Sequence, residues 1–424
     1  MKFPNKSLRP FLVLWSTQSL SALGSAMTSF ALVIWSYEQR GSALSTALLT
    51  ICSYAPYVLM SIFAGALSDR WNKKRTMIFC DAFAVLTTIA VMVLLKTGRL
   101  ELHHLYLLNA LNGLMNTLQQ PASEVTVTLL TPKEHIQRVG GLRALSNALN
   151  TVLTPACATA LLTLGGMDWV IGFDLLTCFL AIAALIFGVH IPHIEAEKPR
   201  EPVLASARMG LKYLSENRLI LDMILLLAGI NLIASMFNAA LPAMLLSREN
   251  GSEAVLGWVN TVTGLATLAG SLIASALPAP RNRVKVIHLS LLLSMSTENL
   301  LLALGRTPPV WCIAAVLGWI AIPLMNTNLD ALFRTTIPVD MQGRVYSARN
   351  TLQFFTIPLG YLLGGWLVDR VCEPLMASLT QGHFLIRLLG SGKGTGAALL
   401  LLLIAGAGVG IVVASMVKQR KIIR

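Results

Sequence analysis

Charge is scarce in this chain. Of 424 residues only 12% are charged while 55% are hydrophobic, against about 25% charged in an ordinary soluble domain. A soluble surface cannot be assembled from so few charges, and the apolar excess comes in long blocks, as in a polytopic membrane protein. Cysteine is limited to 6 residues. Cys52, Cys80, Cys157, Cys178 and Cys312 fall within apolar blocks and Cys372 stands alone in a loop. No pair has metal-ligand spacing, so neither a disulfide nor a metal is expected. The 7 histidines lie in loops or at helix ends without a partnered nucleophile, which argues against a polytopic membrane enzyme. The net charge of +13 sits in short loops rather than in a basic domain with interleaved aromatics, so nucleic acid is not an expected partner. No cleaved leader is expected: the first apolar block, from Pro10 to about Trp35, exceeds the roughly 7–15 apolar residues of such a segment.

What is present is a series of twelve blocks, each near the length a membrane-crossing helix needs. They cover 10–36, 43–68, 75–96, 102–130, 138–165, 168–191, 219–247, 253–278, 284–305, 309–337, 342–370 and 396–417. An even number places both termini on one face. Assigned to loops on that basis, 25 of the 33 Lys and Arg residues fall on the face of the termini, which makes that face cytoplasmic. The longest polar connection on that face, 192–218, holds Pro199 and Pro202 and then a basic amphipathic stretch near Met209–Leu214. It reads as a cytoplasmic linker between residues 1–191 and 219–424. A shift of 206 positions brings Pro132 onto Pro338, Glu134 onto Asp340, Arg138-Val139 onto Arg344-Val345, Arg143 onto Arg349 and Glu124 onto Asp330. The expected fold is therefore an all-α membrane protein of twelve transmembrane helices in two pseudo-symmetric six-helix bundles. Gly390-Ser391-Gly392-Lys393-Gly394 has a superficial likeness to a nucleotide loop, but the first glycine of that pattern falls at Arg387. No ATP site and no cofactor are expected.

Between the second and third blocks lies Gly65-Ala-Leu67-Ser-Asp69-Arg70-Trp-Asn72-Lys73-Lys74-Arg75. The order Gly-x-Leu-x-Asp-Arg followed by paired basic residues resembles the signature hairpin of the major facilitator superfamily, the twelve-helix secondary transporters. Gly65, Asp69, Arg70, Lys73 and Lys74 match it and form the expected gating hairpin. Asn72 replaces the usual glycine and is expected to take the same left-handed turn. The stretch Pro338-Val-Asp340-Met-Gln-Gly343-Arg344-Val345, the later Pro358, Gly360, Gly364 and Gly365, and Gln120-Pro121-Ala122 with Leu129-Leu130-Thr131-Pro132 resemble the drug:proton antiporter branch that holds macrolide-efflux proteins and siderophore exporters. Thr154-Pro155-Ala156-Cys157-Ala158-Thr159 departs from the Gly-Pro-x-x-Gly-Gly frequent in family antiporters, and so weakens the inference of antiport direction.

The resemblance implies a central cavity lined chiefly by helices 1, 4, 7 and 10. Polar stripes lie on each. Helix 1 carries Gln18, Ser21, Ser25 and Ser29; helix 4 carries Asn109, Asn112, Asn116, Gln120 and Glu124; helix 7 carries Asn231, Ser235 and Asn238; helix 10 carries Trp319, Asn326 and Asp330. Spacings of three and four keep each set on one face. The alternative is hydrogen bonding inside a packed bundle. The stripes are rich in amides and poor in fixed charge, which suits an amphipathic substrate. Carboxylates in a low-dielectric setting are the proton-coupling candidates: Glu298, Asp330 and Glu124. Glu124 is also a candidate latch to Arg70 or Lys73, whereas Asp81 and Asp174 read as structural groups near helix ends.

The expected activity is secondary active efflux of a macrolide-like drug or siderophore by alternating access, in exchange for protons, by a monomer in the inner or plasma membrane. A proton-coupled importer or a lipid or metabolite translocator of the same fold is the alternative.

Overall fold

The computed structural model describes residues 8–132, 136–189, 191, 203–338, 345, 349, 352–380 and 382–423. Side chains at 57–58, 61–70, 136–138, 140–141, 144, 203–208, 210, 334 and 420–423 also lie outside the description. The twelve-block pattern translates into helices because hydrocarbon offers the backbone no hydrogen-bond partners, so each crossing segment must satisfy its own. In order these are α1 (Arg9–Arg40), α2 (Ala43–Arg70), α3 (Lys73–Lys96), α4 (Leu102–Leu130), α5 (Ile136–Ala183), α6 (Val203–Glu216), α7 (Arg218–Ser247), α8 (Glu253–Ala276), α9 (Arg283–Leu304), α10 (Pro308–Trp319), α11 (Ile322–Thr336), α12 (Thr356–Leu367), α13 (Glu373–Ser378), α14 (Phe384–Leu389) and α15 (Thr395–Ile423). Two π-helical segments, Ala184–Gly188 and Val368–Cys372, extend α5 and α12.

Among the described residues, 8 helices are long and apolar enough to cross a membrane. Several differences from the sequence expectation have physical causes. The blocks 138–165 and 168–191 are not among them: they lie in two helices within the range of α5, parted at Gly166, whose φ of 68° and ψ of −163° interrupt the helical path. Glycine reaches that positive φ without a Cβ penalty. The block 309–337 divides into α10 and α11 at Ile320–Ala321, ahead of Pro323. The amide stripe lowers the hydropathy of α4. Of the polar stretch 192–218, residues 192–202 lie outside the described residues and Val203–Glu216 form the helix α6. Asn72 does not take a left-handed turn. With φ −66° and ψ 114° it is the N-cap of α3, and its side chain accepts from the Arg75 backbone N–H at 3.1 Å. An N-cap needs an extended backbone and a short acceptor, which Asn supplies.

The chain forms two compact units: Met1–Ser36 with Leu49–Pro199, and Tyr37–Leu48 with Arg200–Arg424. In the first, Phe11, Leu14, Met77, Leu130 and Leu185 form one buried cluster, and Leu32, Leu49, Val91, Leu105 and Ile171 another. Here α4 crosses α2 with Gly113 against the Ser53 carbonyl, where a Cβ would overlap it. In the second, α7 is buried along most of its length. The α12 glycines set the closeness of its contact: a Cβ on Gly364 would stand 2.7 Å from the Met236 Cα, and Gly360 faces the Leu232 carbonyl. Small residues permit this approach of two backbones. The Tyr37 hydroxyl donates to Ala243 O at 3.1 Å, fixing the end of α1 in this unit.

Candidate functional site

Much of the helix 1 stripe is engaged inside the first unit. Gln18 Nε2 donates to Asp81 Oδ2 at 2.8 Å, and Gln119 Nε2 of α4 donates to Oδ1 at 2.5 Å. Asp81, far from a helix-end cap, is buried on α3 with both oxygens held by amides. Ser21 meets the Cys178 thiol at 3.3 Å, and Ser25 donates to Asp174 Oδ1 at 2.9 Å. Asp174 is likewise interior, with 1% of its surface exposed. Thr88 Oγ1 donates to its Oδ2 and Cys178 to its Oδ1, both at 3.4 Å.

The α4 stripe is graded along its length. Asn109 and Asn112 are half-buried, and Asn112 Oδ1 accepts from Thr87 at 2.9 Å. Asn116, Gln120 and Glu124 are exposed at successive intervals of four. The Glu124 carboxylate receives two hydrogen bonds from the Arg143 guanidinium. A carboxylate and a guanidinium fit as a two-point pair, so Arg143 is a partner of Glu124, while the Arg70 side chain of the hairpin lies outside the described residues.

Of the hairpin itself, the backbone at Gly65, Asp69 and Arg70 continues α2, but their side chains lie outside the described residues. Lys74 Nζ donates to Ile186 O at 3.1 Å and Val189 O at 2.8 Å. It thereby closes open carbonyls where the π segment ends, a favourable place for a cation.

In the second unit, Glu298 is 5% exposed on α9, and Trp319 Nε1 at the end of α10 donates to its Oε1 at 2.8 Å. Neither Thr297 nor Asn299 supplies this bond. Asn231 Nδ2 donates to Gln353 O at 3.2 Å, and Arg349 Nε donates to Gln353 Oε1 at 3.0 Å. Arg349 also lies 4.0 Å from Asp330 and over the Phe333 ring. Ser235 is buried, whereas Asn238, Asn326 and Asp330 are exposed. Thus Trp319 joins Glu298, and Asn231 reaches Asp330 by way of Gln353 and Arg349. Among the described residues no three His, Cys, Asp or Glu side chains converge as metal ligands.

The sequence pattern gives Gln119 and Gln353 no place among the candidates, sets Arg349 only in the internal repeat, and does not show that Asp81 and Asp174 lie in the interior. The rarity of carboxylates inside apolar blocks was the available signal.

The family profile described as Major Facilitator Superfamily matches residues 14–245 and 223–371. Macrolide efflux protein A of Streptococcus pyogenes is 23% identical over 380 residues, covering 87% of this chain and 92% of that protein. The enterobactin exporter EntS of Citrobacter koseri is 24% identical over 345 residues, covering 80% of each. The crystal structure of a mutant of the nucleoside transporter NupG superposes with a TM-score of 0.67 at 15% identity, covering 97% of this chain and 99% of that one. This last likeness bears on the fold alone.

Proposed function

The chain belongs to the Major Facilitator Superfamily, and from that premise we propose that it exports an amphipathic small molecule, a macrolide-like drug or a siderophore, by alternating access in exchange for protons. The observation that carries this reading is that macrolide and enterobactin exporters each align with most of this chain and most of their own length. The exposed α4 series Asn116, Gln120 and Glu124 supports it. Amide groups on an otherwise apolar helix can orient a large amphipathic ligand without the fixed countercharge a small ion needs.

In this reading the twelve blocks are twelve crossings in two six-helix bundles. Both termini face the cytoplasm from an inner or plasma membrane, and the working unit is a monomer that transports rather than catalyses. The stripe residues Gln18, Ser21, Ser25, Asn109, Asn112, Asn231, Ser235, Asn238, Trp319 and Asn326 contribute directly or by holding neighbours in place. Among Glu298, Asp330 and Glu124, the latter two have a guanidinium close by, so Glu298 is the better proton carrier of the three. The hairpin of Gly65, Asp69, Arg70, Lys73 and Lys74 would govern the conformational exchange.

The test is susceptibility of an exporter-deficient bacterium expressing the chain, together with substrate movement in proteoliposomes under an imposed pH gradient. Raised tolerance to macrolides or dyes, or gradient-driven movement of a siderophore, is expected. Substrate movement that is indifferent to every imposed gradient, with the protein verified in the membrane, overturns the proposal.

A further inference from the structure

The three crossing segments around Asp174 bring together one carboxylate and three hydroxyls. Ser25 on α1 donates to Oδ1 at 2.9 Å, and Thr88 on α3 donates to Oδ2 at 3.4 Å. Thr28, one turn beyond Ser25 and 6% exposed, directs its side chain to the same carboxylate, yet its hydroxyl completes no hydrogen bond. Backbone proximity makes the site compact: a Cβ on Gly24 would stand 3.0 Å from the Asp174 Cα and 2.5 Å from Thr177 Oγ1.

What surrounds this carboxylate is neutral. Between Arg9 and Glu38, α1 carries no charged side chain. On α3 the nearest ionisable group in sequence is Asp81, seven positions before Thr88 and already held by Gln18 and Gln119. On its own helix Asp174 faces the Cys178 thiol at 3.4 Å, and Asp168 lies six positions earlier. No ion pair to Asp174 occurs among the described residues. A buried carboxylate without a cation is costly in hydrocarbon, and hydroxyl lone pairs beside it are suitable oxygen ligands for a small cation.

We propose that Asp174, with Ser25, Thr28 and Thr88, binds the monovalent cation whose gradient drives transport, either a proton or Na+. A proton would add to a carboxylate oxygen and form an O–H bond, after which that oxygen donates to a hydroxyl that previously donated to it. Sodium would instead lie among the carboxylate and hydroxyl oxygens, with the hydroxyl hydrogens turned away. This inference deepens the exporter reading and rests on it for the word "drives", but cation binding itself is measurable without any substrate.

The experiment uses the purified full-length protein in lipid nanodiscs. One arm follows 22Na+ binding with competition by NaCl and KCl. The other follows the infrared C=O stretch of a protonated carboxyl through a pH titration. The wild type should show one of the two signals. Asp174→Asn should abolish it, and Thr28→Val, which keeps the carboxylate, should weaken Na+ binding about tenfold or shift the carboxyl titration by about one pH unit. Glu101→Gln, at an exposed carboxylate ahead of α4, should retain the signal. Thermal unfolding of each variant separates loss of the site from loss of the fold. A signal unchanged in Asp174→Asn, or no signal in either arm, overturns the assignment. Gradient-driven export in such a case would leave the exporter reading standing while removing this site.

Discussion

Ser42 donates its hydroxyl to Asp369 Oδ2 at 2.5 Å, joining residues 327 positions apart. The same carboxylate accepts the Ala43 and Leu44 backbone N–H groups at 3.0 and 2.9 Å. These amides open α2 and have no partner within their helix, so Asp369 caps them from a distant part of the chain, beside the N-cap Ser42, whose hydroxyl oxygen accepts from the Ser45 N–H at 3.1 Å. Its position in the π-helical segment Val368–Cys372 has a counterpart: Glu373, the next residue after that segment, accepts from Gly394 N at 2.9 Å and Ala397 N at 3.4 Å at the start of α15. Burial pushes the Glu373 pKa up, while those N–H groups act to lower it. One irregular turn thus supplies acids to two helix N-termini.

Asp369→Ala is expected to reduce stability by about 0.5–2 kcal/mol, as for loss of an N-cap. Asp369→Asn should lose less, because its amide oxygen still accepts. Thermal unfolding of the detergent-solubilised variants measures both. Equal stability of wild type and Asp369→Ala would mean that water replaces the cap without cost.

The Glu298–Trp319 pair gives a different expectation. Trp319→Phe leaves a buried carboxyl oxygen without its indole donor, with a cost of about 1–3 kcal/mol. Gly318→Ala should be the more severe change, since its Cβ would stand 2.5 Å from Glu298 Oε2 and Cβ. Unfolding temperatures in the order wild type, Trp319→Phe, Gly318→Ala bear this out; a stable Gly318→Ala protein contradicts the close contact between α9 and α10.

The α4 stripe separates structural from ligand-facing amides. Asn112 is bonded to Thr87, whereas Asn116 and Gln120 are exposed. Asn116→Leu and Gln120→Leu should therefore stay within about 0.5 kcal/mol of wild-type stability, yet raise the substrate concentration needed for half-maximal export. Asn112→Leu should lose stability first. If neither exposed substitution alters export of any substrate, the stripe faces lipid instead of the transport path.

The sequence made the helical segments legible because apolar length and flanking charge act locally. The glycines at 360 and 364 are legible as a motif, but only the structure shows that they sit against Leu232 and Met236 of α7. What could not be read was the rotation of one helix against another. Periodicity groups Gln18, Ser21 and Ser25 on one face, but whether that face meets water or carboxylates depends on where α3 and α5 place Asp81 and Asp174. For the same reason Glu124 could be assigned a latch but not Arg143 as its partner, and Asp369 gave no hint that it caps a helix beginning at Ala43.

Arg248 provides the most direct stability test outside the crossing segments. It follows α7, is buried, and donates from Nη1 to Gly305 O at 2.5 Å and from Nη2 to Leu389 O. Trp311 Nε1 donates to the same Gly305 carbonyl at 3.0 Å. Burial, and then the nearby Arg306 charge, lower the Arg248 pKa to about 10, so the guanidinium stays protonated at neutral pH and both bonds remain charge-assisted. Arg248→Ala removes two such bonds, each worth about 1.5–3 kcal/mol, and strands the Leu389 carbonyl, while Gly305 keeps the indole. Arg248→Lys keeps a charge but has no planar fork to span two carbonyls, so its loss should be intermediate. Unfolding measured at pH 7 should rank wild type above Arg248→Lys and that above Arg248→Ala. A lysine variant as stable as the wild type would show that charge alone, without the guanidinium geometry, holds the two loops.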